Sequence, residues 1–103
     1  MFPPRLAAAV RPSLLLVVVR HGERLDEARP CEWRALRTEA TRLDPPLTAN
    51  GVAQAADAGK TVKRMLRRLF PDVIPSTEVL SSPTLRTVET AVQVARELGC
   101  AQI

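Results

Sequence analysis

The chain has 103 residues, enough for one small domain, and 46% of them are apolar while 25% are charged. These values are typical of globular proteins and exclude the disordered, collagen-like and low-complexity classes. Its two cysteines, Cys31 and Cys100, are too few for a disulfide-stapled scaffold or a cysteine-rich zinc site. The longest apolar run, residues 14–19, is far shorter than the roughly 20 residues that a membrane-spanning helix needs.

The net charge of +4 has a local origin. Five of the 15 basic residues lie between Lys60 and Arg68, a stretch without an acidic residue. Such a cluster is typical of a solvated helix face, and the alternative is binding of nucleic acid or an anionic membrane surface. Because the chain has only three aromatic residues, we expect no nucleic acid and no membrane among its partners.

The N-terminal part of the chain predicts a leader followed by a strand. Residues 1–13 contain three prolines and predict an irregular leader, before a domain over residues 14–103. Residues 14–19 (LLLVVV) predict a strand that is buried on both faces, as in a parallel sheet covered by helices. Residues 1–22 contain arginines and no acid, which also fits a mitochondrial transit peptide. Since the predicted strand lies in the same stretch, we expect a cytoplasmic protein.

Two segments then predict a connection and a long helix. Trp33, Leu36, Ala40 and Leu43 have helical spacing, so a short helix is expected in the connection over residues 25–45. Apolar residues recur every three or four positions over residues 49–69, with charged residues on the other side. Thr48 is a suitable N-cap, so we predict an amphipathic helix over 49–69.

The remaining residues predict a second strand and a second helix. Residues 77–80 predict the strand, and Ser82 with Pro83 predict the N-cap and first residue of a helix over 83–98. Gly99 is a suitable residue to end that helix. The order strand, helix, strand, helix indicates an α/β fold in which the two strands are parallel neighbours.

The tripeptide Arg20-His21-Gly22 follows the first predicted strand, at the edge where α/β sheets bind ligands. Neutral imidazole is a competent nucleophile for phosphoryl transfer, and arginine binds phosphate oxygens bidentately. Gly22 permits a close approach of the backbone. The alternative is a half-buried histidine at the end of a strand, without a catalytic role.

Two further blocks contribute to the interpretation. Ser81–Arg86 follows the second strand and opens a helix, so Arg86 could reach an anion at that helix N-terminus, or else form a surface ion pair. Asp44–Gln54 (DPPLTANGVAQ) reads mainly as a capped helix start with packing Leu47.

The blocks VVVRHGER, PLTANGVAQA and VLSSPTLRTVETA, in this order, resemble the histidine phosphatase superfamily, also called phosphoglycerate mutase-like. The resemblance covers residues 14–98 and implies an α/β fold, the N-terminal half of a three-layer sandwich with a mainly parallel sheet. DPPLT, Arg24 directly after RHGE, and Trp33 in a long insertion are most similar to the Sts/TULA branch of eukaryotic phosphatases.

The resemblance also implies the roles of individual residues. His21 matches the nucleophile that becomes phosphorylated, and Arg20 and Arg86 match the two arginines of the phosphate pocket, beside Gly22. Arg24 matches an additional pocket arginine of the Sts-like branch. The family uses no metal and no cofactor, and water or a second hydroxyl resolves its phosphohistidine. The implied partner is a phosphorylated substrate or inorganic phosphate.

The sequence also departs from the family pattern. The family supplies an acidic proton donor and a second histidine after the Arg86 block, but His21 is the only histidine in the chain. Glu89 and Glu97 belong to the pattern of the second helix. We therefore expect a truncated phosphomonoester hydrolase, weakly active or inactive alone; the alternative is an inactive phosphate-binding or interaction module. An unpaired sheet edge would favour a homo-oligomer.

Overall fold

The computed structural model describes residues 15–73 and 75–100, so the predicted leader over residues 1–13 lies outside the described residues. The described part contains four helices, named here α1 (Leu25–Ala28), α2 (Pro30–Leu36), α3 (Ala49–Leu69) and α4 (Leu85–Leu98). Helix α3 packs against α4, and α1 packs against α2. In the described residues, no helix combines the length and apolar character needed to cross a bilayer.

Helix α3 has the bounds that its periodicity predicts, which confirms the helix over 49–69. The Thr48 hydroxyl caps its first turn by accepting the Gly51 N–H at 2.9 Å. Small residues let α4 approach closely: a Cβ added at Gly59 would lie 2.8 Å from the Cβ of Glu97. The contact face of α3 thus consists of a stripe of buried residues, Gly51, Ala55, Gly59 and Val62.

Helix α4 begins at Leu85, two residues later than predicted, and its N-cap is Thr84 rather than Ser82. The Thr84 side chain makes no capping bond. Instead, the Asp44 carboxylate accepts the Leu85 N–H at 2.7 Å, from 41 residues earlier in the sequence. The predicted stop is confirmed, because Gly99 ends the helix with a left-handed φ of 74°.

In the connection over residues 25–45, the helices lie nearer its N-terminal end than the spacing of Trp33 to Leu43 predicts. Helices α1 and α2 end by Leu36, and a turn follows them, closed by the Thr41 N–H, which donates to the Thr38 carbonyl. Pro30 occupies the first turn of α2, where its fixed φ and missing N–H are tolerated, and it sets the start of that helix. Trp33 and Leu36 lie in α2, whereas Leu43 lies in the turn after it and is 78% exposed, so the expected helical position of Leu43 is wrong.

The predicted sheet is not formed in the described residues: neither 15–19 nor 77–80 is a strand, and Leu14 lies outside the description. Burial of the first segment on both faces is wrong, because Leu16 is 80% exposed and Val18 is 85% exposed. Val17 and Val19, which alternate with them, are half-buried and border α3 and α4. Burial on both faces requires helices on both sides and hydrogen-bonded neighbouring strands. Because residues 15–19 and 77–80 lack such neighbours among the described residues, the sheet stays a prediction.

A short antiparallel bridge fixes the segment after residue 20 against the start of α3. The Leu25 N–H donates to the Pro46 carbonyl and the Thr48 N–H donates to the Glu23 carbonyl, each at 2.9 Å. The side chains around this bridge form one end of the core. Its buried members are Leu25, Trp33, Pro45 and Leu47.

Candidate functional site

His21 is half-buried and borders a groove of about 810 Å³. The groove is lined by Leu15–Val17, Val19 and residues 75–82, together with side chains of α3 and α4. The His21 Nδ1 lies 2.8 Å from the Gly22 carbonyl oxygen, which can only accept a hydrogen bond. Nδ1 therefore carries the hydrogen, and in the neutral ring the lone pair is on Nε2, the atom that could act as a nucleophile.

A hydrogen-bonded chain joins the histidine block to the arginine block. The Gly22 N–H donates to the Thr90 hydroxyl at 3.2 Å, and that hydroxyl donates to the Arg86 carbonyl at 2.8 Å. Gly22 and Thr90 are 68 residues apart in the sequence. The structure thus places the His21–Gly22 segment against the turn of α4 that carries Arg86.

The close neighbour of Gly22 in the structure is the backbone of Gly51, whereas the sequence predicts the approach of a phosphate. A Cβ at this position would overlap the Gly51 carbonyl and lie 2.9 Å from the Gly51 Cα. The missing side chain is therefore required by the crossing of two backbone segments. The approach of a phosphate to Gly22 stays a prediction.

Arg86 is half-buried, and its Nε is buried without a hydrogen-bond partner among the described residues. Most buried polar groups in proteins are paired, and an unpaired guanidinium N–H favours an anionic acceptor. Arg20, next to His21, is exposed. Of the four predicted side chains His21, Arg20, Arg24 and Arg86, only that of His21 borders the groove.

Arg24 is held by carboxylates of helix α1. Its Nε and one terminal nitrogen donate to the two oxygens of Asp26 at 3.0 and 2.7 Å, and the other terminal nitrogen lies 3.3 Å from Glu27. The hydrogen bond to Asp26 raises the pKa of Arg24; burial opposes this and the attraction of both carboxylates adds to it. The guanidinium thus stays charged and is already paired, so an anion would have to displace these carboxylates to reach it.

Glu23 has a role that sequence reasoning missed. Its carboxylate accepts the Thr48 hydroxyl at 2.7 Å and the Asn50 amide at 3.4 Å, while its N–H donates to the Gln54 side chain at 2.9 Å. The sequence predicts that Thr48 caps the first turn of α3. It does not predict that the cap is bonded to Glu23, which lies 25 positions earlier. Glu23 fastens the His21 segment to the N-terminus of α3.

Glu89, expected only to follow the pattern of α4, also makes a specific contact. Its carboxylate accepts the Leu47 N–H at 2.9 Å. Glu23 and Glu89, the acids closest in sequence to His21 and Arg86, thus both accept hydrogen bonds from residues just before α3. Within residues 15–73 and 75–100, no three histidine, cysteine or acidic side chains cluster as metal ligands would.

Comparison with known proteins identifies a family and relatives of this chain. The sequence model of the histidine phosphatase superfamily (branch 1) matches residues 16–103. "Probable phosphoglycerate mutase GpmB" of Salmonella paratyphi C is 33% identical over 87 residues, which cover 84% of this chain and 33% of that protein. "Ubiquitin-associated and SH3 domain-containing protein A" of Mus musculus is 30% identical over 107 residues, covering 81% of this chain and 16% of that protein.

The chain spans a third or less of the length of these curated relatives. No solved structure is significantly similar to it. The family match nevertheless includes both the His21 block and the Arg86 block and extends over most of the sequence. This chain belongs to the histidine phosphatase superfamily.

Proposed function

We propose that this chain carries the nucleophile and phosphate-binding part of a phosphomonoester hydrolase. The observation that carries the proposal is the hydrogen-bonded link from His21 through Gly22 and Thr90 to Arg86. It brings the two motif blocks of the family together beside a groove that His21 borders. The buried Nε of Arg86, which has no partner in the part of the chain that the structure describes, adds an open donor for an anion.

The reaction begins with attack of the His21 Nε2 lone pair on phosphorus. The Nε2–P bond forms as the bond from phosphorus to the ester oxygen breaks, and the leaving oxygen takes a proton from an acid. Water then attacks the phosphohistidine and releases inorganic phosphate. Arg86 and Arg20 bind the phosphoryl oxygens and stabilise the charge that develops in the transition state.

Among the described residues, the two acids nearest in sequence to His21 and Arg86 do not serve as the acid of this scheme. Glu23 accepts hydrogen bonds from Thr48 and Asn50, and Glu89 accepts one from Leu47. A carboxylate engaged in this way is not positioned to donate a proton to a leaving group. We therefore propose that the chain alone turns over substrates slowly, whereas a longer protein that includes it would supply the donor.

A catalytically inactive phosphate-binding module is the second candidate. The hydrogen bonds of Glu23 and Glu89 favour this second candidate. They occupy the two acids nearest to the site, whereas the groups proposed to bind phosphate do not depend on those acids. The two candidates differ in one chemical property, the formation of a covalent bond to His21.

Labelling with a ³²P phosphodonor such as phosphoramidate separates these candidates. We expect about one phosphate per chain, acid-labile and alkali-stable, with none in His21→Ala. Since the sequence has a single histidine, the labelled residue is unambiguous. Binding of inorganic phosphate without labelling would support the inactive module, and failure to bind phosphate at all would contradict both.

A further inference from the structure

The Thr90 hydroxyl has two partners that lie on different elements. It donates to the Arg86 carbonyl at 2.8 Å within α4 and accepts the Gly22 N–H at 3.2 Å from the segment that carries His21. Thr90 is 4% exposed, so neither bond exchanges readily with water. A hydroxyl has one hydrogen to donate, and the Arg86 carbonyl uses it. The Thr90 hydroxyl oxygen can therefore only accept the hydrogen bond from the Gly22 N–H, and it does so from a fixed direction.

The side chain of Thr90 is stiff as well as doubly bonded. Threonine is β-branched, and in a helix its hydroxyl can be held by a bond to the carbonyl one turn earlier. The direction of its acceptor lone pairs is thus tied to the backbone of α4. Gly22 cannot shift away from Thr90 freely, because its other side touches the backbone of Gly51.

The peptide groups of Gly22 in turn orient the imidazole. The Gly22 carbonyl accepts the hydrogen of the His21 Nδ1 at 2.8 Å. The Gly22 N–H and the Gly22 carbonyl belong to the peptide groups on either side of its Cα, so the connection from the ring to Thr90 passes through the backbone of Gly22. The carbonyl selects the tautomer, and the bond to Thr90 holds the backbone that carries this carbonyl.

We infer that Thr90 is a positioning residue, whose hydroxyl holds the Gly22 backbone so that the His21 ring is kept in its Nδ1–H tautomer and in register with Arg86. The inference rests on the proposed function for its catalytic meaning, but the hydrogen-bond relay can be measured without any turnover. Its chemical consequence is a Nε2 lone pair held at a constant distance from the phosphate-binding turn of α4.

The test compares the wild-type chain with Thr90→Val, which keeps the shape and removes the hydroxyl, and with Thr90→Ser, which keeps the hydroxyl. The matched control is Thr61→Val, because the Thr61 hydroxyl bonds the Asp57 carbonyl one turn earlier but is exposed and far along α3. Two signals are recorded by NMR at about pH 8, where an ordinary imidazole is neutral. They are the tautomer of the single histidine and the hydrogen-exchange rate of the Gly22 amide.

We expect the Nδ1–H tautomer and a protected Gly22 amide in the wild type, Thr90→Ser and Thr61→Val. Thr90→Val should mix the tautomers and speed Gly22 exchange about fivefold or more, the effect of losing one hydrogen bond. If Thr90→Val does not fold, the wild type and Thr90→Ser still decide: an unprotected Gly22 amide or a mixed tautomer in either one overturns the inference. Unchanged signals in a folded Thr90→Val also overturn it.

The labelling rate of His21 separates this inference from the proposed function. Displacement of a reacting group by about 1 Å can cost about 10²-fold in rate, so we expect a large decrease in Thr90→Val and recovery in Thr90→Ser. If the wild type is not labelled but the NMR signals respond to Thr90→Val as expected, the positioning role stands and the proposed function fails. If Thr90→Val is labelled as fast as the wild type, the positioning role fails and the proposed function stands.

Discussion

Gly22 and Gly51 cross backbone against backbone, and neither has room for a side chain. A Cβ on Gly22 would overlap the Gly51 carbonyl, and a Cβ on Gly51 would overlap the Glu23 carbonyl. Gly51 lies in the first turn of α3, where alanine would ordinarily be favoured by about 1 kcal/mol. We expect the overlap to prevail, so that Gly22→Ala and Gly51→Ala each lower the free energy of unfolding by about 1–3 kcal/mol.

Urea denaturation followed by circular dichroism measures this effect. The control is Ala53→Gly on the exposed side of α3, which should cost about 1 kcal/mol through helix propensity alone. A Gly51→Ala protein that is more stable than the wild type would mean that the two backbones are not in contact.

The second prediction concerns Glu23, which holds the cap of α3. Glu23→Gln replaces one acceptor oxygen by an NH₂ group opposite the Asn50 amide and weakens the charged bond from the Thr48 hydroxyl. We expect a loss of about 1 kcal/mol of unfolding free energy. Glu39→Gln, at a side chain that is 90% exposed, should change the denaturation midpoint little. Equal midpoints for the two variants would contradict the role of Glu23.

The third prediction concerns the cap that Asp44 provides to α4. Asp44→Ala removes the acceptor of the Leu85 N–H and should cost about 1 kcal/mol. Asp44→Asn keeps an acceptor oxygen and should retain most of the stability. Asp72→Ala, an exposed acid after α3, is the control with no expected effect. If Asp44→Ala and Asp72→Ala have the same melting temperature, the cap is not formed.

The fourth prediction concerns the carboxylates that hold Arg24. Asp26→Asn weakens the paired hydrogen bonds and frees the guanidinium to reach an anion. If Arg24 is a pocket arginine, inorganic phosphate should bind about two- to fivefold more tightly, the range expected for an ion pair that is partly exposed to solvent. The double variant Arg24→Met with Asp26→Asn should lose this gain, as measured by calorimetric titration.

The control for the fourth prediction is Glu32→Gln, which removes the partner of Arg29 at 3.4 Å in a more exposed pair at the start of α2. It should leave the affinity for phosphate unchanged. No tightening in Asp26→Asn would remove Arg24 from the phosphate site and leave it as a residue that stabilises α1.

The extent to which the sequence predicts this fold depends on the distance over which each signal acts. Helix α3 was predictable because its periodicity, its cap at Thr48 and the proline after it all lie within one stretch. The cap of α4 was not predictable, because Asp44 lies 41 residues before Leu85. The hydroxyl side chains next to the helix start are equally suitable caps by sequence alone. Burial of Leu16 and Val18 was also misjudged, since it depends on neighbours that a run of apolar residues does not specify.

The same reasoning applies to the site. The three motif blocks together predict phosphate chemistry, because histidine and arginine have side chains suited to it wherever they lie in the sequence. The link between them is a threonine that has no chemical signature of its own. Its role depends on the hydrogen bond that the Gly22 N–H donates to it, across 68 residues of sequence.

The last prediction is that the purified 103-residue chain hydrolyses an aryl phosphate weakly or not at all, and an alkyl phosphate even less. In the proposed function the arginines bind the phosphoryl group and His21 attacks it, but expulsion of an ordinary alcohol also needs a proton, which contributes about 10²–10⁴-fold. p-Nitrophenol leaves without that help, so p-nitrophenyl phosphate should suffer least, and any residual activity should disappear in His21→Ala. Rapid hydrolysis of an alkyl phosphate would contradict the prediction. It would mean that Glu89 leaves the Leu47 N–H, or that Glu23 leaves Thr48, to serve as the acid, and Glu89→Gln and Glu23→Gln would then identify which one.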